Sequence, residues 1–176
     1  MRMRRKAWTE PLLDSCPYLI NQPREHRGAW RGFLKHPDAP LHLEIGCGKG
    51  VSTVKMAHEN PNVNFIAIDE VRHVLAVTIK NAALEYGDDP VDNLLLSAVD
   101  AMFILDTFAP EDGVSRIYIN FPNPWDDKAK QHKRPDPSPA ADAVSRLFKA
   151  RRGDLFQNGR CAPVSGHAAL SEDVRF

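Results

Sequence analysis

The sequence predicts an α/β fold in which helices cover both faces of a parallel β-sheet. Two observations support this prediction. Short apolar segments typical of buried strands alternate with segments of helical periodicity between residues 41 and 122. Each apolar segment is also followed by glycine, an acidic residue or asparagine. Because this alternation is typical of β-α-β units, the carboxyl ends of the strands should share one rim, where open α/β sheets bind ligands.

The predicted elements follow one another from residue 41 without an internal repeat. The first strand lies in LHLEIG and precedes a helix in VSTVKMAHE, which ends before Pro61. The second strand lies in NVNFIAIDE, and the helix VRHVLAVTIKNAALEY ends at Gly87. NLLLSAVDA is the third strand, AMFILDTF is a short helix stopped by Pro110, and SRIYIN is a fourth strand stopped by Pro122.

The composition is typical of a globular protein with one domain. The 176 residues are 43% hydrophobic and 26% charged, which allows a sizeable core. No apolar run could span a membrane and no secretory signal is present, so we expect no membrane association and a cytoplasmic location. Cys16, Cys47 and Cys161 lack the spacing of zinc ligands, so we expect no metal. Acidic and basic residues balance at 23 each, so nucleic-acid binding would depend on local basic clusters near residues 2–6 and 128–134.

A glycine loop after the first strand predicts a cofactor site. Gly46, Gly48 and Gly50 allow a sharp turn and a close approach of the backbone to a ligand. Asp69 ends the second strand, where an acidic residue can accept hydrogen bonds from ribose hydroxyls. Asp100 follows the third strand and could reach an adenine amino group. The alternative is an ordinary strand–turn–helix unit with exposed acidic residues in its loops.

Glu44, just before the glycine loop, indicates which cofactor to expect. Its carboxylate would repel a pyrophosphate, and the G-x-G-x-G spacing departs from the dinucleotide pattern G-x-G-x-x-G. S-adenosyl-L-methionine carries an ammonium group and a sulfonium group and has no phosphate. We therefore expect S-adenosyl-L-methionine rather than NAD.

The stretch NFPNPWDDKAKQHKR after the fourth strand combines amides, aromatic rings and basic side chains. Asn120 and Asn123 can pair with the edge of a base, and Phe121 and Trp125 offer stacking faces. The basic side chains from Lys128 onward can contact phosphates. The alternative is that the aromatic rings close the core and the lysines are simply solvated.

Several of these segments together resemble the bacterial tRNA (guanine-N7)-methyltransferases. They are LHLEIGCGKG, FIAIDE, VDA and RIYINFPNPW with its trailing KAKQHKR, and MRMRRKAW resembles the N-terminus of that family. The resemblance covers roughly residues 1–134. It implies a Rossmann-like class I methyltransferase fold, an enzyme that uses S-adenosyl-L-methionine, and tRNA as the partner. The implied reaction is methyl transfer to N7 of guanine 46 in the variable loop of tRNA.

The resemblance also implies roles for single residues. Glu44, Asp69, Asp100 and Asn123 match cofactor-lining positions of the family, Asn123 matches its catalytic position, and Lys128 matches a lysine that contacts substrate. Two departures stand out. The family usually has Asp where this chain has Asn123, which removes a negative charge near the reacting atoms. The family has Pro-Lys after the tryptophan where this chain has Asp126 and Asp127, which leaves the register at Lys128 open by one residue.

The family pattern stops near Pro135. The family continues with RLTHP, LKPGG and FKTD, and none of these appears in residues 135–176. Allowed codons for LFKARRGD, read one nucleotide later, encode LKPGGE, and those for LFQNGRC encode FKTDD. We therefore expect three segments: an N-terminal extension (1–38), an S-adenosylmethionine-binding methyltransferase domain (39–134) and a frameshifted, non-native tail (135–176). The methyltransferase domain is expected to be incomplete, because its sheet lacks its last strands. The alternative for the tail is a divergent native sequence.

Three functions are consistent with these observations. The leading hypothesis is tRNA guanine-N7 methylation. The alternatives are a class I methyltransferase with another substrate and an inactive fragment that only binds cofactor or RNA.

Overall fold

The computed structural model describes residues 6–119, which form a parallel five-stranded sheet with helices on both faces. The spatial order of the strands is β1-β4-β3-β2-β5. The strands are β1 (Leu19–Ile20), β2 (Leu41–Ile45), β3 (Asn64–Asp69), β4 (Leu94–Ala98) and β5 (Val114–Ile119). The α-helices are α1 (Thr9–Asp14), α2 (Val51–Glu59), α3 (Arg72–Tyr86) and α4 (Ile104–Thr107). This arrangement confirms the predicted Rossmann-like α/β class.

The central strands are apolar throughout because both of their faces are covered. In β3, Phe65 and Ala67 pack into the layer formed by α1, α2 and α3. The alternate residues Ile66 and Ile68 pack into the opposite layer, which contains α4 and the segment around Trp30. The sheet therefore separates two apolar cores. The carboxyl ends of its strands lie together along one edge, which we call the carboxyl rim.

The order of the strands reverses beside β2. The chain passes from β2 through α2 to β3 and through α3 to β4, and both helices lie on one face. Helix α4 then lies on the other face before the chain reaches β5, which pairs with the opposite side of β2. Ile45 pairs with Ile119, so β2 and β5 end side by side. Open α/β sheets place ligand crevices at such a reversal.

The expected N-terminal extension contains regular elements that the sequence analysis did not predict. Helix α1 packs against α3, and β1 extends the sheet by pairing Leu19 with Leu96 of β4. Trp30 is fully buried and stacks on Phe108, with 4.9 Å between ring centroids. These elements were missed because six helical residues and two strand residues are too short to show a periodic pattern.

A buried carboxylate attaches this N-terminal segment to the loop before β5. Asp112 accepts hydrogen bonds from the amides of Gly28 (3.0 Å), Trp30 (3.1 Å) and Ala109 (2.8 Å), a group that we call the Asp112 clasp. Arg31 strengthens the attachment, because its guanidinium donates to the carbonyl oxygens of Asp112 and Gly113. A carboxylate with several amide donors is a strong, charge-assisted arrangement, so the segment is part of the folded domain.

The expected tail of residues 135–176 lies outside the described residues. Within residues 6–119, no helix is long and apolar enough to cross a membrane.

Candidate functional site

The glycine loop between β2 and α2 adopts the backbone geometry that its sequence predicts. Gly46, Gly48 and Gly50 have φ values of 74°, 55° and 67°, in the left-handed region that other residues enter only with strain. The amides of Gly46 and Cys47 both donate to the carbonyl oxygen of Ile68, at 2.9 and 3.0 Å. The loop is thus anchored to the end of β3 and lies at the carboxyl rim of the sheet.

The structure brings the predicted acidic residues to this same rim. Glu44 is the fourth residue of β2, Asp69 is the last residue of β3, and Asp100 follows β4. The amide of Val99 donates to the carbonyl oxygen of Asp69 at 3.0 Å, which connects the ends of β3 and β4. Three carboxylates therefore stand at the carboxyl ends of three adjacent parallel strands, on the same rim as the glycine loop.

Glu44 is nearly inaccessible, with 2% of its surface exposed. Its neighbours in β2, Leu43 and Ile45, belong to the core on the α4 side, so the alternation of the strand directs Glu44 toward α2 and α3. A carboxylate buried below a backbone loop places negative potential there. This potential favours a cationic ligand group and disfavours a phosphate.

Asp69 has a structural role that the sequence did not predict. Its Oδ2 accepts a hydrogen bond from the amide of Gly48 at 2.8 Å, and its Oδ1 accepts one from the amide of Val71 at 2.9 Å. The carboxylate thus joins the glycine loop to the start of α3. Each oxygen retains a second lone pair, so Asp69 can also accept a hydrogen bond from a ligand.

Asp100 caps the short 3₁₀ helix Ala101–Phe103, because its Oδ1 accepts the amide hydrogen of Met102 at 2.9 Å. Its second oxygen can accept from a ligand amine. Large apolar side chains accompany the acidic residues, since Val71, Met102 and Phe103 are 37%, 50% and 47% exposed. The rim therefore combines carboxylates with apolar surface, as a nucleoside requires.

Cys47 lies inside the loop and is not a candidate nucleophile. Burial raises the pKa of its thiol, and the carboxylates of Asp69 and Glu44 raise this pKa further. The thiol is therefore protonated at neutral pH and unreactive. The direction of this pKa shift is consistent with negative potential from both carboxylates at Cys47, the second residue of the loop.

Two loop-contacting residues were missed by the sequence analysis. Thr78 donates from its hydroxyl to the carbonyl oxygen of Gly48 at 3.0 Å, and Asn81 donates from its side-chain amide to the carbonyl oxygen of Lys49 at 2.8 Å. The structure buries Thr78 completely. The sequence carried a weak signal of this, because Thr78 is a polar residue at helical spacing with the apolar residues Leu75, Ile79 and Ala82. A polar residue at such a position usually has a specific partner.

The remaining predicted site residues cannot be placed. Asn123, Lys128 and the whole stretch from Asn120 onward lie outside the described residues. The last described residue before this stretch is Ile119, which pairs with Ile45, the residue just before Gly46. Within residues 6–119, no group of three or more His, Cys, Asp or Glu side chains is arranged to hold a metal ion.

A parallel sheet that reverses its order beside a glycine loop, with carboxylates on three neighbouring strand ends, defines a Rossmann-like α/β protein with a candidate ligand site at its carboxyl rim. Residues 38–149 match the model of a family described as "Putative methyltransferase". This match covers more than half of the chain, so the chain belongs to this methyltransferase family.

Curated relatives carry a more specific name. A "tRNA (guanine-N(7)-)-methyltransferase" of Clostridium beijerinckii is 43% identical over 136 residues, which cover 76% of this chain and 61% of the relative. Proteins of the same name from Clostridium perfringens and Clostridium botulinum are each 39% identical, over 127 and 136 residues. These two alignments cover 71% and 76% of this chain and 58% and 61% of the relatives. The chain thus spans about 60% of the length of the curated relatives that it matches.

Proposed function

We propose that the carboxyl rim binds S-adenosyl-L-methionine and that the protein is a tRNA (guanine-N7)-methyltransferase acting at guanine 46. The observation that carries the proposal is the set of three carboxylates, Glu44, Asp69 and Asp100, around the glycine loop. This set of hydrogen-bond acceptors fits the cofactor. Carboxylates accept hydrogen bonds from its ammonium, hydroxyl and adenine amino groups, and their negative charge complements its positive charges.

Each acidic residue would have a distinct task in holding the cofactor. Buried Glu44 would provide the negative potential for the cationic methionine end, and Gly46 and Gly48 would let the backbone approach it closely. Asp69 would use its remaining lone pairs for the ribose hydroxyls. Asp100 would accept from the adenine amino group, beside exposed Met102.

The chemistry required of the protein is modest. Guanine N7 carries a free lone pair on the major-groove edge and needs no general base. S-adenosyl-L-methionine supplies a methyl group on a positively charged sulfur, and this methyl group is transferred to N7. The task of the protein is to hold the base in line with that methyl group, which is catalysis by proximity and orientation.

We assign the substrate side to the stretch after β5. Asn123 would orient the guanine as the catalytic residue, and Lys128 would contact tRNA phosphate. Support comes from the names of the curated relatives and from the pairing of Ile45 with Ile119, which brings the end of β5 next to the glycine loop. We also propose that the protein acts in the cytoplasm, where tRNA is available.

Two measurements on the full 176-residue chain test this proposal. Equilibrium binding of S-adenosyl-L-methionine should be measurable, and Glu44→Gln should weaken it at least tenfold because a buried charge is lost. Glu59→Gln, at the exposed last residue of α2, removes the same charge away from the rim and should leave affinity unchanged. Methyl transfer to unmodified tRNA should then be detected by chain cleavage specific for N7-methylguanosine. Absence of cofactor binding would reject the proposal altogether.

A second candidate is an inactive fragment that binds cofactor or RNA. The observation that favours it is the coverage of about 60% of the curated relatives. Cofactor binding without methyl transfer to any tRNA would support this candidate. A class I methyltransferase with another substrate would instead transfer methyl groups without the steep salt dependence typical of tRNA binding.

A further inference from the structure

Helix α3 lies against the glycine loop and contributes two polar side chains to it. Thr78 and Asn81 are three residues apart, so they lie on the same face of the helix. Their hydrogen bonds go to successive carbonyl oxygens of the loop, those of Gly48 (3.0 Å) and Lys49 (2.8 Å). Two consecutive peptide groups of the loop are thus fixed from one side by one helix.

Thr78 also makes a close packing contact with the end of the loop. A Cβ atom added to Gly50 would lie 2.2 Å from Cγ2 of Thr78, far inside van der Waals contact. Gly50 is therefore needed for this close approach as well as for its positive φ of 67°. The hydroxyl of Thr78 fixes the loop at Gly48 while its methyl group packs at Gly50.

Fixing these carbonyl groups has a consequence for ligand binding. A loop with three glycines has great conformational freedom, and ordering it on ligand binding would reduce the affinity. The peptide group is planar and trans, so a Gly48 carbonyl that points toward α3 directs the amide of Lys49 away from α3. The amide of Gly48 is fixed as well, by Asp69 at 2.8 Å. The loop is thus ordered before any ligand arrives.

We propose that Thr78 and Asn81 are positioning residues, which hold the Gly48–Gly50 segment in the shape that binds ligand and thereby set its affinity for S-adenosyl-L-methionine. The inference rests on the proposed function, because the ligand is the proposed cofactor. Both residues act through the loop backbone. Asp69 holds the same segment from the strand side, and α3 holds it from the helix side.

The test uses the full chain and a matched set of variants. Thr78→Val keeps the shape of the side chain and removes the hydroxyl, Thr78→Ser keeps the hydroxyl, and Asn81→Ala removes the amide. Thr9→Val is the control for Thr78, because Thr9 is also buried and its hydroxyl donates to a backbone carbonyl outside the rim, that of Lys6 at 2.7 Å. Asn60→Ala is the control for Asn81, because Asn60 donates to the carbonyl of Met56.

Two readouts are measured on each variant. Calorimetry should show affinity for S-adenosyl-L-methionine reduced about three- to tenfold in Thr78→Val and Asn81→Ala, the loss expected for one hydrogen bond. Hydrogen exchange on the free protein should show faster exchange of the Gly48 and Gly50 amides in the same variants. Thr78→Ser should restore both properties, and the two controls should change neither.

The outcomes separate this inference from the proposed function. If wild-type protein binds the cofactor and Thr78→Val and Asn81→Ala bind it equally well, the inference is wrong. It is also wrong if Thr9→Val weakens binding as much, since the effect would then follow global stability. If wild-type protein does not bind the cofactor, the proposed function fails. In that case, amide exchange at Gly48 and Gly50 that is unchanged in Thr78→Val and Asn81→Ala would show that the two side chains do not order the loop either.

Discussion

The amide of Gly48 donates a 2.8 Å hydrogen bond to Oδ2 of Asp69, which joins the glycine loop after β2 to the last residue of the neighbouring strand β3. The other oxygen of Asp69 accepts from the amide of Val71. One side chain thus connects the loop, a strand and the start of α3. Its carboxylate therefore accepts two structural hydrogen bonds in the protein without ligand.

Asp69→Asn should therefore reduce stability even without cofactor. An Asn side chain has one acceptor oxygen, so it can satisfy one of the two amides and presents an NH₂ group to the other. We expect a loss of about 1 kcal/mol in the free energy of unfolding, measured by urea titration. Asp88→Asn is the control, because exposed Asp88 undergoes the same charge change. Equal stability of the Asp69 and Asp88 variants would contradict this role.

Disruption of the Asp112 clasp should lower the free energy of unfolding more than Asp69→Asn does. Asp112→Ala leaves the amides of Gly28, Trp30 and Ala109 without their acceptor, in a region where Asp112 itself is 1% exposed. We expect a loss of about 3 kcal/mol in the free energy of unfolding. Fluorescence of Trp30 would report whether its stacking on Phe108 is lost as well. Exposed Asp106 provides the control Asp106→Ala, which should change stability by less than about 0.5 kcal/mol.

His42 should make stability depend on pH. Burial lowers the pKa of His42 to about 4, and the charge of Arg116 contributes to the shift. In the unfolded chain the pKa is near 6.5, so between these values the unfolded state binds more protons than the folded state. Stability should thus be fully present above about pH 6.5 and decrease as the pH falls toward 4. In His42→Phe, whose ring can still pack against Phe65 and Tyr118, this decrease should be smaller. An unchanged pH profile would show that another group is responsible.

Asn123 should limit the rate of the proposed methyl transfer. Positive charge develops on the guanine as N7 is methylated, and a carboxylate stabilises that charge better than a neutral amide. We expect Asn123→Asp to raise the turnover rate on tRNA by about tenfold. Asn158→Asp introduces the same charge in the segment expected to be non-native and should have no effect. Turnover by the Asn123 protein that equals or exceeds that of Asn123→Asp would reject this role.

The nucleotide sequence of the gene should reveal a second reading frame. We propose that residues 135–176 are translated out of frame, and we expect an open frame one base away that encodes LKPGG and then FKTD. The family model matches as far as residue 149, which lies beyond the proposed frameshift near residue 135. Both reading frames must therefore be compared over the whole region from codon 134 onward. A gene without such a frame would show that the tail is a divergent native sequence.

The sequence predicted the features of the rim that depend on local pattern. The glycines at 46, 48 and 50 and the acidic residue at 69 were predicted because a strand–loop–helix unit needs them at fixed places in the chain. Helix α3 was predicted because its 15 residues are long enough to show periodicity. The partners of these residues were not predictable, since the contact of Thr78 with Gly48 spans 30 residues and depends on how α3 packs.

The N-terminal segment shows the same limit. Nothing local to Trp30 indicates that its indole donates to the carbonyl of Thr107, because that contact spans 77 residues. β1 is a strand only because β4 provides an edge for it to pair with. Elements of this kind are created by tertiary contacts, whereas strands β2 to β4 are apparent from their own residues.

The Asp112 clasp also has a consequence for the order of events during synthesis. Its bonds to Gly28 and Trp30 join positions 84 and 82 residues apart, so these two residues leave the ribosome long before their acceptor, Asp112. The β-α-β units between residues 41 and 98 need only nearby partners and can assemble sooner. Until residue 112 has emerged, the indole of Trp30 has no completed pocket, and a nascent chain paused before that point would expose it to chaperones.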